Sequence, residues 1–169
     1  MQTHIPAQNC ILDSSTVARS IRRMAFQVAE ENAEESRIVI AGIVGNGMVL
    51  AKKISAELRR ILPIEVALID IEINKRAPVN ATITTYEDLT GKVILVVDDV
   101  SNTGKTLLYA LKPFLDFEPK KIQTLVLVER SHKLFAVQPD YVGLSVATTL
   151  QEHISVEVER DEITGAWLH

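Results

Sequence analysis

Two adjacent aspartates, Asp98 and Asp99, precede a short TGKT sequence at residues 103–106 that has the letters of a phosphate-binding loop. The pair follows a continuous apolar run at residues 93–97, so we expect it at the end of a buried strand. Carboxylates repel phosphate, and neighbouring carboxylates raise each other's proton affinity unless hydrogen bonds or a cation relieve them. Either the TGKT ending is a coincidence, or the ligand has a phosphate at one end and hydrogen-bond donors at the other.

Three interpretations of the TGKT letters compete. A nucleotide-binding P-loop requires a glycine five residues before Gly104, and that position holds Asp99, so the P-loop pattern fails. Alternatively, residues 101–103 only cap a helix. In the third interpretation, backbone N–H groups and the hydroxyls of Thr103 and Thr106 hold a monophosphate at the helix N-terminus. A ribose 5-phosphate fits the third, because its hydroxyls can donate to the aspartates.

The elements that would position this segment alternate along the chain. Strands are predicted at 38–43, 65–73, 92–97, 121–129 and 140–146, and helices at 14–32, 48–60 and 103–115. Pro113 is expected to kink or end the last helix, residues 74–91 to form a loop or ribbon, and residues 154–169 a hairpin. This order predicts an α/β fold with a mainly parallel sheet, in which ligands bind at the carboxyl ends of the strands.

Composition restricts the class of protein. At 169 residues the chain is expected to form a single domain, 1–169, and its apolar runs are too short to cross a membrane. A net charge of −4 argues against nucleic acid as a partner. The single Cys10 and an N-terminus without an export-signal pattern predict a cytoplasmic protein.

The segment 93–106 resembles the phosphoribosyl pyrophosphate (PRPP) signature of the type I phosphoribosyltransferases. That signature is a hydrophobic strand, an acidic pair, a short variable insert and then Thr-Gly-Lys/Arg-Thr. Residues 11–32, 106–143 and the closing acidic hairpin are similar to the PyrR group, regulators of the pyrimidine operon with uracil phosphoribosyltransferase activity. The resemblance implies the type I phosphoribosyltransferase (Rossmann-like) fold with a small hood and a C-terminal hairpin.

The same resemblance implies transfer of a phosphoribosyl group from PRPP to a nucleobase, with uracil as the implied base, and release of pyrophosphate. Mg²⁺ would be held mainly through PRPP, and no residue of the protein is assigned as a metal ligand. The implied catalytic residues are Asp98 and Asp99, which hold the ribose hydroxyls. The implied substrate-binding residues are Val44, Gly45, Asn46 and Gly47 for pyrophosphate, Ser101, Asn102, Thr103, Gly104, Lys105 and Thr106 for the 5-phosphate, and Arg130, His132, Tyr141 and Val142 for the base. A homodimer or higher oligomer is also implied.

The sequence departs from the family pattern in three places. PyrR pyrophosphate loops carry arginine, whereas residues 44–47 have none, and the segment 70–93 is shorter than the PyrR flap. Lys75 and Arg76 in that segment either replace the missing cations or are solvated loop charges. Asn102 stands where hypoxanthine-guanine enzymes carry an aspartate, which disfavours a 6-oxopurine. These departures leave a non-catalytic PRPP- or nucleotide-binding regulator as the alternative, while the acidic charge opposes RNA attenuation.

Overall fold

A computed structural model describes residues 9–149 and 151–169 of the chain. The first eight residues, on which the expectation of no export signal partly rests, lie outside the described residues. The strands are β1 Asn9–Asp13, β2 Arg37–Ile43, β3 Glu65–Ile73, β4 Ala81–Ile83, β5 Val93–Ser101, β6 Lys121–Arg130, β7 Tyr141–Val146, β8 Ile154–Glu159 and β9 Glu162–Leu168. The α-helices are α1 Ser14–Glu31, α2 Asn46–Ile61 and α3 Lys105–Leu111, and α3 runs into a 3-10 helix, Lys112–Asp116.

Two sheets organise these strands. The main sheet has six strands in the order β4-β3-β2-β5-β6-β7, and every neighbouring pair is parallel except β3 with β4. The second, which we call the hood sheet, is antiparallel with the order β1-β9-β8. The α/β class and the mainly parallel sheet are confirmed. Strand β1 was not predicted, because its five residues give too short a pattern to distinguish from a loop.

Strand β5 lies in the middle of the main sheet and is covered on both faces. Val93, Leu95 and Val97 pack in the cluster that α1 and α2 complete, whereas Ile94 and Val96 pack in the cluster under α3. None of the five is more than 2% exposed. Burial on both faces explains why this strand reads as an unbroken apolar run rather than as an alternating one.

The helix boundaries follow local sequence signals. Asp13 caps α1 by accepting a hydrogen bond from the Thr16 N–H at 2.8 Å, and Asn32 caps its C-terminus, in agreement with the helix predicted at 14–32. Helix α3 ends at Leu111, and Pro113 lies in the first turn of the 3-10 helix, so the predicted effect of this proline is confirmed. No helix among the described residues has both the length and the apolar character needed to cross a membrane.

The terminal hairpin is also confirmed, and it forms two strands of the hood sheet. Its turn consists of Arg160 and Asp161, which have φ angles of 50° and 62°. Two left-handed residues form the tight turn that matches the twist of a hairpin. The loop or ribbon expected at residues 74–91 contains β4, which pairs with β3 through Ile73 and Ala81.

The 3-10 helix offers a test of the core. Phe114 is fully buried in the cluster under α3, whereas its neighbour Leu115 is 68% exposed. We expect Phe114→Ala to lower the free energy of unfolding by about 3–5 kcal/mol, because it removes a buried ring and leaves a cavity. Leu115→Ala, the matched control, should change it by less than about 0.5 kcal/mol in the same urea titration. Equal effects of the two substitutions would contradict the packing described here.

Candidate active site

Strand β5 continues past its apolar run and includes both aspartates. Its pairing with β6 extends to Ser101, opposite Glu129, so Asp98 and Asp99 lie within the strand rather than in the loop after it. Asp98 is 1% exposed and Asp99 is 7% exposed. Gly47 in the first turn of α2 permits this packing, since a Cβ atom there would lie 3.0 Å from Asp98 Oδ1. The carboxylates are therefore held close beneath the N-terminal turn of a helix.

Lys75, from the loop between β3 and β4, is the cationic partner of the acidic pair. Its Nζ donates to Asp98 Oδ1 at 2.8 Å and to Asp99 Oδ1 at 3.2 Å. The Asp98 carboxylate also accepts a hydrogen bond from the Asp99 N–H at 2.9 Å. One ammonium group thus joins two carboxylates that would otherwise repel each other.

The pKa values of the two carboxyl groups shift in opposite directions because their surroundings differ. Burial, together with the negative charge of Asp99, raises the pKa of Asp98 to about 7. Burial also acts to raise the pKa of Asp99, but the charge of Lys75 and hydrogen bonds that include one from Asn46 outweigh it and lower that pKa. Burial acts to lower the pKa of Lys75, and the two carboxylates outweigh it and raise that pKa. At neutral pH the site therefore contains an ionised Asp99, an ammonium group and an Asp98 poised between its two forms.

Asn46 connects the acidic pair to the hood sheet. Its Nδ2 donates to Asp99 Oδ2 at 3.1 Å and to the Val156 carbonyl of β8 at 2.9 Å. The same side chain therefore touches the main sheet and the hood sheet. Asn46 lies at the first position of α2, directly after Gly45, whose φ of 101° requires glycine.

The loop from Ser101 to Thr106 wraps over the end of β5. Gly104 has a φ of 86°, and a Cβ atom there would lie 3.3 Å from the Phe135 carbonyl, so both conformation and space require glycine. The following segment holds this loop from outside, since the Thr103 carbonyl accepts hydrogen bonds from the N–H groups of Leu134 and Phe135. The buried Asn102 Oδ1 and Ser101 Oγ atoms have no partner among the described residues.

These elements enclose a cavity of about 490 Å³. Of the residues predicted to bind ligand, it brings together Asn46, Asp98, Asp99, Ser101, Asn102, Thr103, Gly104, Lys105 and Thr106. Its other walls are Lys75, Arg76, Pro78, Val100, Leu107, and residues 153–156 of the hood. A volume of this size suits a small polar molecule.

Seven predicted binding residues do not line the cavity. Val44 and Gly45 form the turn before α2, where Val44 is 52% exposed, and Gly47 lies beneath Asp98. His132 is exposed in the segment after β6, and Arg130 donates to the Glu152 carbonyl at 2.5 Å. Arg130 thus holds the residue directly before the hood wall at 153–156 and does not line the cavity itself.

Tyr141 and Val142 lie on β7, away from the cavity. The Tyr141 hydroxyl contacts Glu31 Oε2 and Gln123 Oε1, each at 3.0 Å, in a polar network beside α1. The Val142 carbonyl accepts a hydrogen bond from Arg23 of α1 at 3.1 Å. In this structure both residues join β7 to a helix, and the base-binding role implied for them stays a prediction.

Two walls of the cavity were absent from the predicted site. Lys75 was considered as a replacement for the missing pyrophosphate cations or as a solvated loop charge, and neither interpretation placed it beside the acidic pair. The hood residues 153–156 belong to a hairpin that the alternating pattern predicts, but a local pattern does not indicate which strand of the main sheet it faces. Both contacts are long-range, which is why residue spacing alone did not indicate them.

The carboxylate pair suits a hydrated divalent cation better than a fully enclosed one. No group of three or more His, Cys, Asp or Glu within 9–149 and 151–169 could hold a metal by itself. Mg²⁺ keeps several waters and is commonly bound by one or two carboxylates together with substrate phosphates. Asp98 and Asp99, which already converge on the Lys75 ammonium, fit that pattern.

A sequence profile of the phosphoribosyl transferase domain matches residues 7–162. The chain belongs to this family. The match covers the acidic pair, the loop at 101–106 and most of the hood, so every residue that lines the cavity falls within the matched range.

Curated relatives cover almost the same length. A bifunctional protein PyrR from Roseiflexus sp. (strain RS-1) is 35% identical over 166 residues, which are 92% of this chain and 89% of that protein. The pyrimidine operon regulatory protein of Lactococcus lactis subsp. lactis is 31% identical over 162 residues, 92% of this chain and 93% of its own. The phosphoribosyltransferase described here is therefore similar to PyrR proteins along nearly its whole length.

Solved structures support the fold. A hypoxanthine phosphoribosyltransferase of Trypanosoma cruzi superposes with a TM-score of 0.72 at 16% identity, covering 82% of this chain and 81% of its own. A hypoxanthine-guanine phosphoribosyltransferase of Bacillus anthracis gives a TM-score of 0.70 at 19% identity and covers 86% of each chain. At these identities the likeness establishes the type I phosphoribosyltransferase fold.

The raised pKa of Asp98 predicts a pH-dependent stability. Because this pKa lies near 7 in the folded chain and the ordinary value is 3.8, the folded state binds the proton more tightly than the unfolded state does. The free energy of unfolding should therefore fall as pH rises from about 4 to about 7. The Asp98→Asn variant has no carboxyl group to ionise at this position. The free energy of unfolding of the variant minus that of the wild type should therefore be larger at pH 8 than at pH 5, by about 1–3 kcal/mol.

Thermal unfolding of the two proteins at both pH values measures this difference, with about 2–4 °C in Tm expected for each kcal/mol. Asp116→Asn removes a charge from an exposed position of the 3-10 helix and is the control. An equal Tm difference between wild type and Asp98→Asn at pH 5 and pH 8 would contradict the burial of an ionising carboxyl group.

Proposed function

We propose that this protein transfers the phosphoribosyl group of PRPP to a nucleobase, with uracil as the base, and releases pyrophosphate. The observation that carries the proposal is that the acidic pair and the loop at 101–106 line the same cavity of about 490 Å³. A ribose 5-phosphate needs hydroxyl acceptors and a phosphate cradle a few ångströms apart. This cavity provides both.

The phosphate end of the ligand would lie against the N-terminus of α3. The Lys105 N–H donates to the Thr103 hydroxyl at 3.2 Å. Gly104 at the N-cap has no side chain to satisfy the N–H groups that follow, so these would be available to an anion. The Thr103 and Thr106 hydroxyls in the cavity wall add donors. At the other end, Asp98 and Asp99 would accept hydrogen bonds from the two ribose hydroxyls.

In the transfer itself, the bond between ribose C1 and the pyrophosphate oxygen breaks and a bond from C1 to a ring nitrogen of the base forms. The pyrophosphate leaves with the electron pair of the broken bond, and the N–H proton of the base passes to solvent as the new bond forms. Positive charge develops on the sugar, and an ionised acidic pair stabilises it. Mg²⁺, held through PRPP near Asp98 and Asp99, would supply charge neutralisation for the leaving pyrophosphate.

The base would lie between the loop at 101–106 and the hood. The Asn102 Oδ1 atom is buried without a donor, and a base N–H would satisfy it. The hood residues His153 and Ser155 form the facing wall. Uracil as the substrate follows from the similarity to PyrR proteins rather than from a contact in the cavity.

A regulatory protein that binds PRPP or a nucleotide without turnover is the second candidate. It is favoured by the turn at residues 44–47, which carries no cation where the leaving pyrophosphate would be held. The pyrimidine operon regulatory protein of Lactococcus lactis is a relative whose name describes regulation. The acidic net charge of −4 argues against RNA as the regulated partner.

The family resemblance also supports a homodimer or larger homo-oligomer that acts on small molecules in the cytoplasm. Sedimentation of the purified chain measures the assembly directly. A species of 18.7 kDa at all concentrations would contradict it.

Incubation with PRPP, Mg²⁺ and each of several nucleobases tests the activity. We expect uridine monophosphate and pyrophosphate in equal amounts with uracil, and less product with hypoxanthine. The double substitution Asp98→Asn with Asp99→Asn should weaken PRPP binding at least about 100-fold, because each charged hydrogen bond contributes about 1.5–3 kcal/mol. Isothermal calorimetry measures the binding.

Asp116→Asn with Asp161→Asn, two exposed positions outside the cavity, is the matched control for the loss of two charges. PRPP binding that survives the first double substitution would refute the proposed site. Tight binding by the wild type without turnover of any base would replace the enzyme with the regulatory candidate.

A further inference from the structure

We propose that Lys75 is a displaceable counter-cation, which neutralises Asp98 and Asp99 in the free protein and moves to the pyrophosphate group when PRPP binds. The inference rests on the proposed function, since it assigns a role within that site. It adds a residue that the motif does not contain, and it states how a cavity with a cation-free pyrophosphate turn can hold this anion.

Lys75 and an incoming ligand would compete for the same carboxylate oxygen atoms. Asp98 Oδ1 accepts hydrogen bonds from the Lys75 ammonium and the Asp99 N–H, which use both of its lone pairs. Asp99 carries the same ammonium on one oxygen and Asn46 on the other. A ribose diol or a hydrated cation needs these carboxylate oxygens as well. Binding of the diol or the cation would therefore compete with Lys75 for Asp98 Oδ1 and Asp99 Oδ1.

The side chain of Lys75 has room to move, while the backbone on either side of it is held by hydrogen bonds. The Lys75 side chain is 44% exposed, whereas the two carboxylates are 1% and 10% exposed. The Asn74 side chain accepts a hydrogen bond from the Arg76 N–H at 3.0 Å, and the Asn74 carbonyl accepts one from the Ala77 N–H at 3.1 Å. Displacement thus needs rotation of a four-carbon stem, not unfolding of the turn.

The released Lys75 ammonium group would pair with pyrophosphate, for which the cavity has few other cations. The turn at 44–47 has no cation of its own. Lys105, another cation in the cavity wall, has its Nζ 5.9 Å from the centre of the Phe135 ring and is engaged there. Lys75 and its neighbour Arg76 are the cationic side chains at the side of the cavity where β3 and β4 meet. Between these two, Lys75 is the one that loses its partner when the ribose arrives.

The charges then balance in both states. In the free protein, the Lys75 ammonium contacts both carboxylates and offsets their negative charge. With PRPP bound, the ribose hydroxyls and the hydrated cation take over the carboxylates, and the ammonium pairs with pyrophosphate. Departure of pyrophosphate returns Lys75 to the acidic pair, where it competes with the ribose of the nucleotide product. The same side chain would therefore assist both substrate binding and product release.

The first experiment needs no substrate. Thermal unfolding is compared at zero and 10 mM MgCl₂, at constant ionic strength, for the wild type, Lys75→Met and Arg76→Met. Without its ammonium the acidic pair becomes a site for Mg²⁺, so the Tm of Lys75→Met should rise by about 2–5 °C. The wild type and Arg76→Met, whose acidic pair stays neutralised, should shift by less than about 1 °C. An equal response of Lys75→Met and wild type would overturn the pairing.

The second experiment separates pyrophosphate from ribose. Calorimetry with PRPP and with ribose 5-phosphate is expected to show a loss of about 10- to 100-fold in PRPP affinity for Lys75→Met, with ribose 5-phosphate affinity unchanged or higher. Lys75→Arg keeps the charge and should retain the preference for PRPP. Equal losses for both ligands would overturn the movement to pyrophosphate. If the wild type bound neither ligand, the proposed function and this movement would fall together, while the Mg²⁺ response would still decide the pairing.

Discussion

Asp98 and Asp99 lie almost out of reach of water at the end of β5, and ionised groups in such a place need local neutralisation. Three elements supply it: Lys75 from the loop after β3, Asn46 from the start of α2, and the backbone N–H within β5 itself. Because each contact requires its element to lie within hydrogen-bond distance, the acidic pair ties together the parts of the fold that surround the cavity. Removing Lys75 would leave the two carboxylates without this counter-charge.

The hood sheet is attached to the main sheet through Asn46, which also contacts the acidic pair. Asn46 reaches Asp99 and the Val156 carbonyl with one amide nitrogen, so the antiparallel sheet is attached to the parallel one at the cavity itself. Arg130 makes a second attachment at the Glu152 carbonyl. Asn46 therefore lies between the wall that would face a base and the carboxylates that would hold the ribose.

Most of the fold follows from residues that act locally. The run at 93–97, the cap at Asp13 and the break at Pro113 each identify an element, because strand burial, capping and proline geometry depend on near neighbours. The loop at 101–106 and the acidic pair, which line one cavity, also form a local sequence pattern. Lys75, the hood wall and the outward placement of Tyr141 were not, since each depends on contacts between residues far apart in sequence. Charges in an irregular loop carry no periodicity that would show which partner they meet.

The pairing of Ile73 with Ala81 has a consequence for how the cavity meets water. It anchors both ends of the segment that carries Lys75, so the conformational entropy of this wall is lost during folding and does not oppose binding. The pairing leaves seven residues, 74–80, between the two strands at this side of the cavity. With the proposed function, the hood residues 153–156 and the incoming base would complete the shielding of the transferred sugar from water, and hydrolysis of PRPP would compete with transfer until the base is bound.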